Sequence, residues 1–375
     1  MLAIIGGVLG YLAYGLTIGE SVAIGSSVVG LGFWAVGRGV LFGREQFAKA
    51  SAIDVALACI SVVGTVLLLL AGISGVYALI PMTGLYVAYA LILVQKWRGG
   101  EARRSALPSV KKEIDSFIFF GAVGSVASAG FLHIAVFLLR ALGGPEAAGM
   151  FGAALTMSMP LLMVVTSFSA VFYPRLSRLW RENKTIEYVK LTDRFTRVSF
   201  SILFVPVAGL IVFAKEIIQI IWGNEFEDAG RLLPILLVAA FVRGITSVPV
   251  AALTAGPNWG MKVAAASSVC GALVGVLFIL VATGDGGPEV AAAGYLVGVV
   301  LIALAPMIVT WRMGRHRWGG LFLRGLVALV GVLWLAFDAS AWSVLARGVT
   351  AFGLCLVVTI PELDNVRKVR RSSPG

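Results

Sequence analysis

Ionisable residues are scarce in this sequence. Asp, Glu, Lys and Arg make up 13% of its 375 residues, about half the share of an ordinary soluble domain. There are two histidines and three cysteines. Cys59, Cys270 and Cys355 each stand alone in an apolar run, without metal or redox spacing, and read as small packing residues. No paired-carboxylate motif, HExxH, GxSxG or Walker sequence occurs. These absences argue against an enzyme and against ATP hydrolysis within the chain, and nothing calls for a cofactor or a metal. So little charge also excludes a nucleic-acid-binding domain and a disordered tail.

What fills the sequence instead is hydrocarbon. Apolar residues reach 59% and mean hydropathy is +0.96. A soluble fold could not hide that much apolar surface, because a single core stops growing near roughly 250–300 residues. The apolar runs are long and continuous, not the short alternating segments of a barrel, so they are helices. At about 20 residues per crossing, the fold class is an all-α polytopic membrane protein with about twelve spans. They fall near 1–18, 21–42, 51–72, 75–95, 116–142, 146–172, 198–215, 231–253, 263–283, 290–311, 321–337 and 341–361. The first run opens MLAIIGGVLGYLAYGL and lacks a basic n-region and an A-x-A site, so it reads as a span and not a signal peptide.

The charges that exist are sorted by side. Net charge is +11. Threading twelve spans puts 24 of the 30 Lys and Arg in one set of loops, with the tail, and leaves only Lys215 and Arg231 in the other. Basic residues collect on the cytoplasmic side, so both termini are expected in the cytoplasm, at the cytoplasmic membrane. Two of these loops are long and basic, 96–115 and 174–197. The second is expected to form a helix along the surface, where it anchors topology, attracts anionic headgroups or steers an anionic substrate.

Ionisable groups inside spans are costly and mark candidate sites. They are Arg38, Asp54, His133, Arg140, Arg243 and Arg347. Arg243 lies about twelve residues into its span, too deep to snorkel easily, and needs a watery cavity, a partner or an anionic ligand. His133 is mid-span, and Arg140 sits two helical turns on along the same face. Arg38 and Asp54, at the cytoplasmic ends of neighbouring spans, suit a structural ion pair. Arg347 either snorkels or meets Asp338. Pro160, Pro206, Pro234, Pro249 and Pro306 fall in or at the edge of spans, and Gly totals 45. Kinked, glycine-rich helices suit a mobile transporter core.

Three stretches bring a family into view. GPEAAGMFGAALTMSMPLLMVVTSFSAVFYPRLSRLW (144–180), with its glycine-spaced turn and closing aromatic–Pro–x–Leu–Ser, is followed by IIQIIWGNEFEDAGRLLPIL (217–236) and preceded by VLFGREQFAKAS (40–51). In order and spacing they resemble the polysaccharide-unit flippases of the multidrug/oligosaccharidyl-lipid/polysaccharide exporter superfamily. The resemblance implies two helical bundles. Residues 1–95 would be an amino-terminal lobe of four spans, 96–115 a basic linker, 116–311 a six-helix lobe, and 312–375 two extra helices with a basic tail. The family's first two helices then have no counterpart. The resemblance also implies a lipid-linked oligosaccharide substrate, a sugar on polyprenyl phosphate or pyrophosphate. It would cross by alternating access through a cavity between lobes, for cell-surface polysaccharide synthesis. Glycan-assembly enzymes would be the partners beside the bilayer. Arg243, with Arg38, His133 and Arg140, would hold the phosphate, while Asp54 and Arg347 are structural. Other readings are a multidrug/cation antiporter of the same superfamily, a glycosyl-transfer enzyme on the same lipid, or a truncated membrane protein that transports nothing. The antiporter chemistry wants acidic groups in the cavity, and here the mid-membrane charges are mostly positive. The enzyme would need a large outer loop with catalytic groups, and the longest here is about fifteen residues (216–230).

Overall fold

A computed structural model describes residues 17–43, 46–73, 75–97, 108–282, 287–337 and 342–371. The expected span 1–18 and Asp338 therefore lie, almost wholly or wholly, outside the described residues. Every regular element described is a helix. Nine helical segments among the described residues are long and apolar enough to cross a membrane, and one of them, Lys111–Val164, is long enough for two passes. Each expected span from 21–42 onward coincides with a helix, that at 75–95 being met by a short 3-10 turn, Gly75–Leu79, and the helix Ile80–Trp97. The chain divides into two compact units, Met1–Ser105 and Ala106–Gly375.

The first unit holds α1 (Ile18–Gly43), α2 (Phe47–Leu70) and α3 (Ile80–Trp97), the last preceded by a tight 3-10 turn at Gly75–Leu79. Small residues let these helices touch. A side chain at Gly30 would press on the Thr83 carbonyl and Tyr86, and one at Gly64 on Pro81. The Ser27 and Thr83 hydroxyls meet at 2.6 Å across α1 and α3. A small core of Leu41, Ala50 and Tyr89 lies beside Trp34 and Ile53.

The second unit begins with α4 (Pro108–Arg181), helical throughout except at Gly144 (φ 86°, ψ 176°). Gly121, near its start, lies against Met261, and Tyr173, near its end, donates to the Thr254 carbonyl. Those two targets are close in sequence, so the chain turns back at Gly144. That backbone region is open almost only to glycine. Gly144→Ala is therefore expected to cost about 1–3 kcal/mol, read as a lower unfolding midpoint in detergent, whereas Gly149→Ala, in open space within the helix, leaves it unchanged or raised.

Next come α5 (Thr185–Val212), the short α6 (Ala214–Trp222), α7 (Ala229–Ala255), α8 (Gly260–Ala282), α9 (Pro288–Gly314), α10 (Gly319–Phe337) and α11 (Val344–Arg371). The expected surface helix over 174–197 does not form as such. Instead α4 runs to Arg181, Asn183 turns in the left-handed conformation, and α5 starts at Thr185. The cause is burial at helical spacing: Tyr188, Thr192, Thr196, Ser199 and Phe200 are all buried along α5, so this basic segment continues the stripe of a spanning helix.

The core of the unit gathers α4, α5, α7, α8 and α9 around Phe131, Phe204, Leu233 and Tyr295. Between α8 and α9 the approach is set by glycine: side chains at Gly275 and Gly298 would overlap the Phe131 ring, and one at Gly271 would overlap the α9 backbone. The last two helices pack on the same core, with the Phe200 ring over Gly325 and the Phe213 ring over Gly348.

Candidate functional site

Arg243 stands midway along α7, whose face is otherwise small and apolar; Leu236, Leu237, Ala239, Ala240 and Phe241 around it are buried. Its guanidinium reaches across to two other helices. Nη2 donates to Ser128 Oγ on α4 at 3.2 Å and Nη1 to the Tyr295 hydroxyl on α9 at 3.4 Å. The Tyr295 ring in turn stacks on Phe131, with centroids 5.3 Å apart. Among the described residues no carboxylate lies within ion-pair distance of Arg243. Two of its five N–H donors are spent on neutral hydroxyls, and the charge itself is uncompensated. Hydroxyls orient a guanidinium without neutralising it.

Within the second unit, His133 and Arg140 do not join this site. His133 and Arg140 lie on the same face of α4 and are exposed. His133 is five residues past Ser128, about 140° further round the helix, so it points away from Arg243. Arg38 and Asp54 meet each other in the first unit: Arg38 Nε is 3.2 Å from Asp54 Oδ2. Trp34 Nε1 donates to the other Asp54 oxygen at 2.9 Å, and the Arg38 guanidinium lies 5.2 Å from the Trp34 ring centre. Arg38 and Trp34 together engage both carboxylate oxygens of Asp54. Arg347 on α11 bonds Glu216 on α6 and reaches the Val212 carbonyl at 3.5 Å. Its partner is thus an acid 131 residues away, across the fold.

Sequence reasoning missed Ser128 and Tyr295, which are hydroxyl residues in apolar runs with no spacing to mark them. It also missed a buried knot at one end of the unit. There Asp193 accepts from Arg197 Nε at 2.9 Å and from Trp318 Nε1 at 2.8 Å, and His316 stacks on Trp318 at 4.3 Å. The knot ties α5 to the turn between α9 and α10. Among the described residues no group of three or more His, Cys, Asp and Glu side chains is placed to hold a metal ion.

A family model described as the lipid II flippase MurJ matches residues 26–229. No curated protein sequence matches the chain at a significant level. Among solved structures, the crystal structure of a MATE proline-to-alanine mutant is similar, with a TM-score of 0.67 at 15% identity over 85% of this chain and 74% of that one. At that identity the likeness is one of fold: an all-helical, multi-pass arrangement.

Proposed function

Because the chain belongs to the MurJ lipid II flippase family, we propose that it moves a lipid-linked oligosaccharide, a sugar chain on polyprenyl phosphate or pyrophosphate, between the leaflets of the cytoplasmic membrane by alternating access. It is a multi-pass transporter, not an enzyme. A charged headgroup does not cross hydrocarbon unaided; it needs a compensating charge at mid-membrane depth. Arg243 supports this reading most directly, as a half-buried cation held by Ser128 and Tyr295 with its charge uncompensated. Prolines inside α4, α5, α7 and α9 suit helices that bend during the cycle. Lys and Arg concentrated on one set of loops support cytoplasmic termini. Enzymes that build the glycan on either side would be its partners.

The cation-antiporter reading has less to stand on, since Asp54 is already engaged by Arg38 and Trp34. Expression in cells depleted of their own flippase separates the two. Restored surface glycan or wall synthesis, with unchanged tolerance of cationic drugs, is the expected result. Raised drug tolerance without restored glycan would replace the proposal with the antiporter. Which glycan recovers distinguishes a surface-polysaccharide unit from the lipid II of the family description.

A further inference from the structure

A cavity opens at the end of the second unit where the α4–α5 and α9–α10 turns come together. It is a partly open hollow of about 50 Å³ among Trp180, Tyr188, Thr192, Leu253, Thr310 and Met313, with His316 at its edge. Three of the hydroxyls in its wall are spent on backbone carbonyls. Thr192 donates to the Tyr188 carbonyl at 2.9 Å, Thr310 to the Pro249 carbonyl at 3.0 Å, and Tyr188 to the Ala252 carbonyl. The lining is therefore mostly apolar, which favours hydrocarbon over a soluble ion.

The surroundings have the opposite character. Arg312, Arg315 and Arg317 are exposed and bracket the wall residues Met313, Gly314 and His316 in sequence. On the other turn the exposed Arg181 and Lys184 follow Trp180 in sequence. Lys184 is paired with Glu182 at 2.8 Å, whereas Arg312, Arg315 and Arg317 hold no ion pair among the described residues. The turn that carries Arg315 and Arg317 joins two helices long and apolar enough to cross a membrane, Pro288–Gly314 and Gly319–Phe337, which puts it at a membrane–water boundary. Trp311 Nε1 donates to the His316 carbonyl at 2.6 Å.

An apolar hollow rimmed by uncompensated arginines at the membrane boundary matches one kind of molecule. We infer that this cavity is a binding site for an anionic phospholipid of the adjoining leaflet, with its first methylenes in the hollow and its phosphate on Arg312, Arg315 and Arg317. A soluble anion would leave the hollow empty, and a zwitterionic lipid would leave the three arginines without a net counter-charge. The site is separate from Arg243 and does not rest on the transport proposal.

The test is lipid retention by the purified full chain, read by native mass spectrometry from micelles doped equally with phosphatidylglycerol and phosphatidylcholine. The wild-type chain is expected to keep the anionic lipid about tenfold or more over the zwitterionic one, given three basic residues at the surface. Replacing Arg312, Arg315 and Arg317 with Gln removes the preference. Filling the hollow with Val189→Trp lowers retention while the rim stays charged. Equal retention of the two lipids by the wild-type chain overturns the inference, as does a preference that survives the three Gln substitutions. Displacement of the lipid by millimolar inorganic phosphate also overturns it, in favour of a soluble anion. The wild-type and displacement measurements decide the matter even where a variant does not fold.

Discussion

Arg243→Ala is expected to cut export of the glycan severely while the protein still inserts and accumulates in the membrane. The guanidinium sits half-buried, positioned by Ser128 at 3.2 Å and Tyr295 at 3.4 Å. Charge-assisted hydrogen bonds to such a group are worth about 1.5–3 kcal/mol each, so losing the contact to a phosphate slows transport roughly 10- to 100-fold. The alanine chain keeps its fold, because both partners are neutral hydroxyls and neither is left as a buried charge. Arg243→Lys retains the positive charge without the planar fork and should recover part of the rate, whereas Arg243→Gln recovers little. Quantifying surface glycan against the amount of protein in the membrane separates these outcomes. If Gln matches Lys, hydrogen bonding and not charge is what the site contributes.

The second large effect is on stability. Phe131 is fully buried, its ring lodged where Gly275 of α8 and Gly298 of α9 leave room and stacked on Tyr295. Phe131→Ala leaves a void among three helices and should cost about 3–5 kcal/mol. Without a hydrophobic driving force between helices in lipid, close packing and hydrogen bonds carry the association, so an unfilled site here is not offset elsewhere. Gly298→Val fails for the opposite reason, since the added methyls overlap a ring that has nowhere to move. Thermal unfolding in detergent should show both well below wild type, with Phe131→Leu between. Because the same ring supports Tyr295, Phe131→Leu should also weaken transport beyond its effect on stability. Transport at wild-type level in that variant would mean that Tyr295 does not need the ring beneath it.

How much of this could be read from the sequence follows from the range over which each signal acts. Long apolar runs dictate helices locally, and from 21–42 onward each coincides with one. The break between 116–142 and 146–172 is local too, fixed by Gly144 in a backbone conformation that Pro145 follows. The segment 174–197 misleads because its charges look like a surface helix, while the residues that decide its fate, Tyr188, Thr192 and Thr196, are modestly polar and still buried. Their hydroxyls bond backbone carbonyls, as Thr192 does to Tyr188 and Thr196 to Thr192, so they cost little to bury. Partners across the fold are the least visible. Arg347 bonds Glu216, 131 residues away, a pairing that no spacing in the sequence marks. Arg243 is conspicuous as a lone cation in an apolar run, but Ser128 and Tyr295, the groups that aim it, carry no mark until the helices are packed.

The most direct test reconstitutes the purified chain into vesicles carrying a fluorescent polyprenyl-pyrophosphate saccharide in both leaflets, then adds an impermeant reagent that destroys the label. Wild-type vesicles should lose the signal of both leaflets, and vesicles bearing Arg243→Ala only that of the outer one, over the same interval. Loss confined to the outer leaflet in the wild type, or equal loss from both leaflets in the two, would contradict a translocation route built on Arg243.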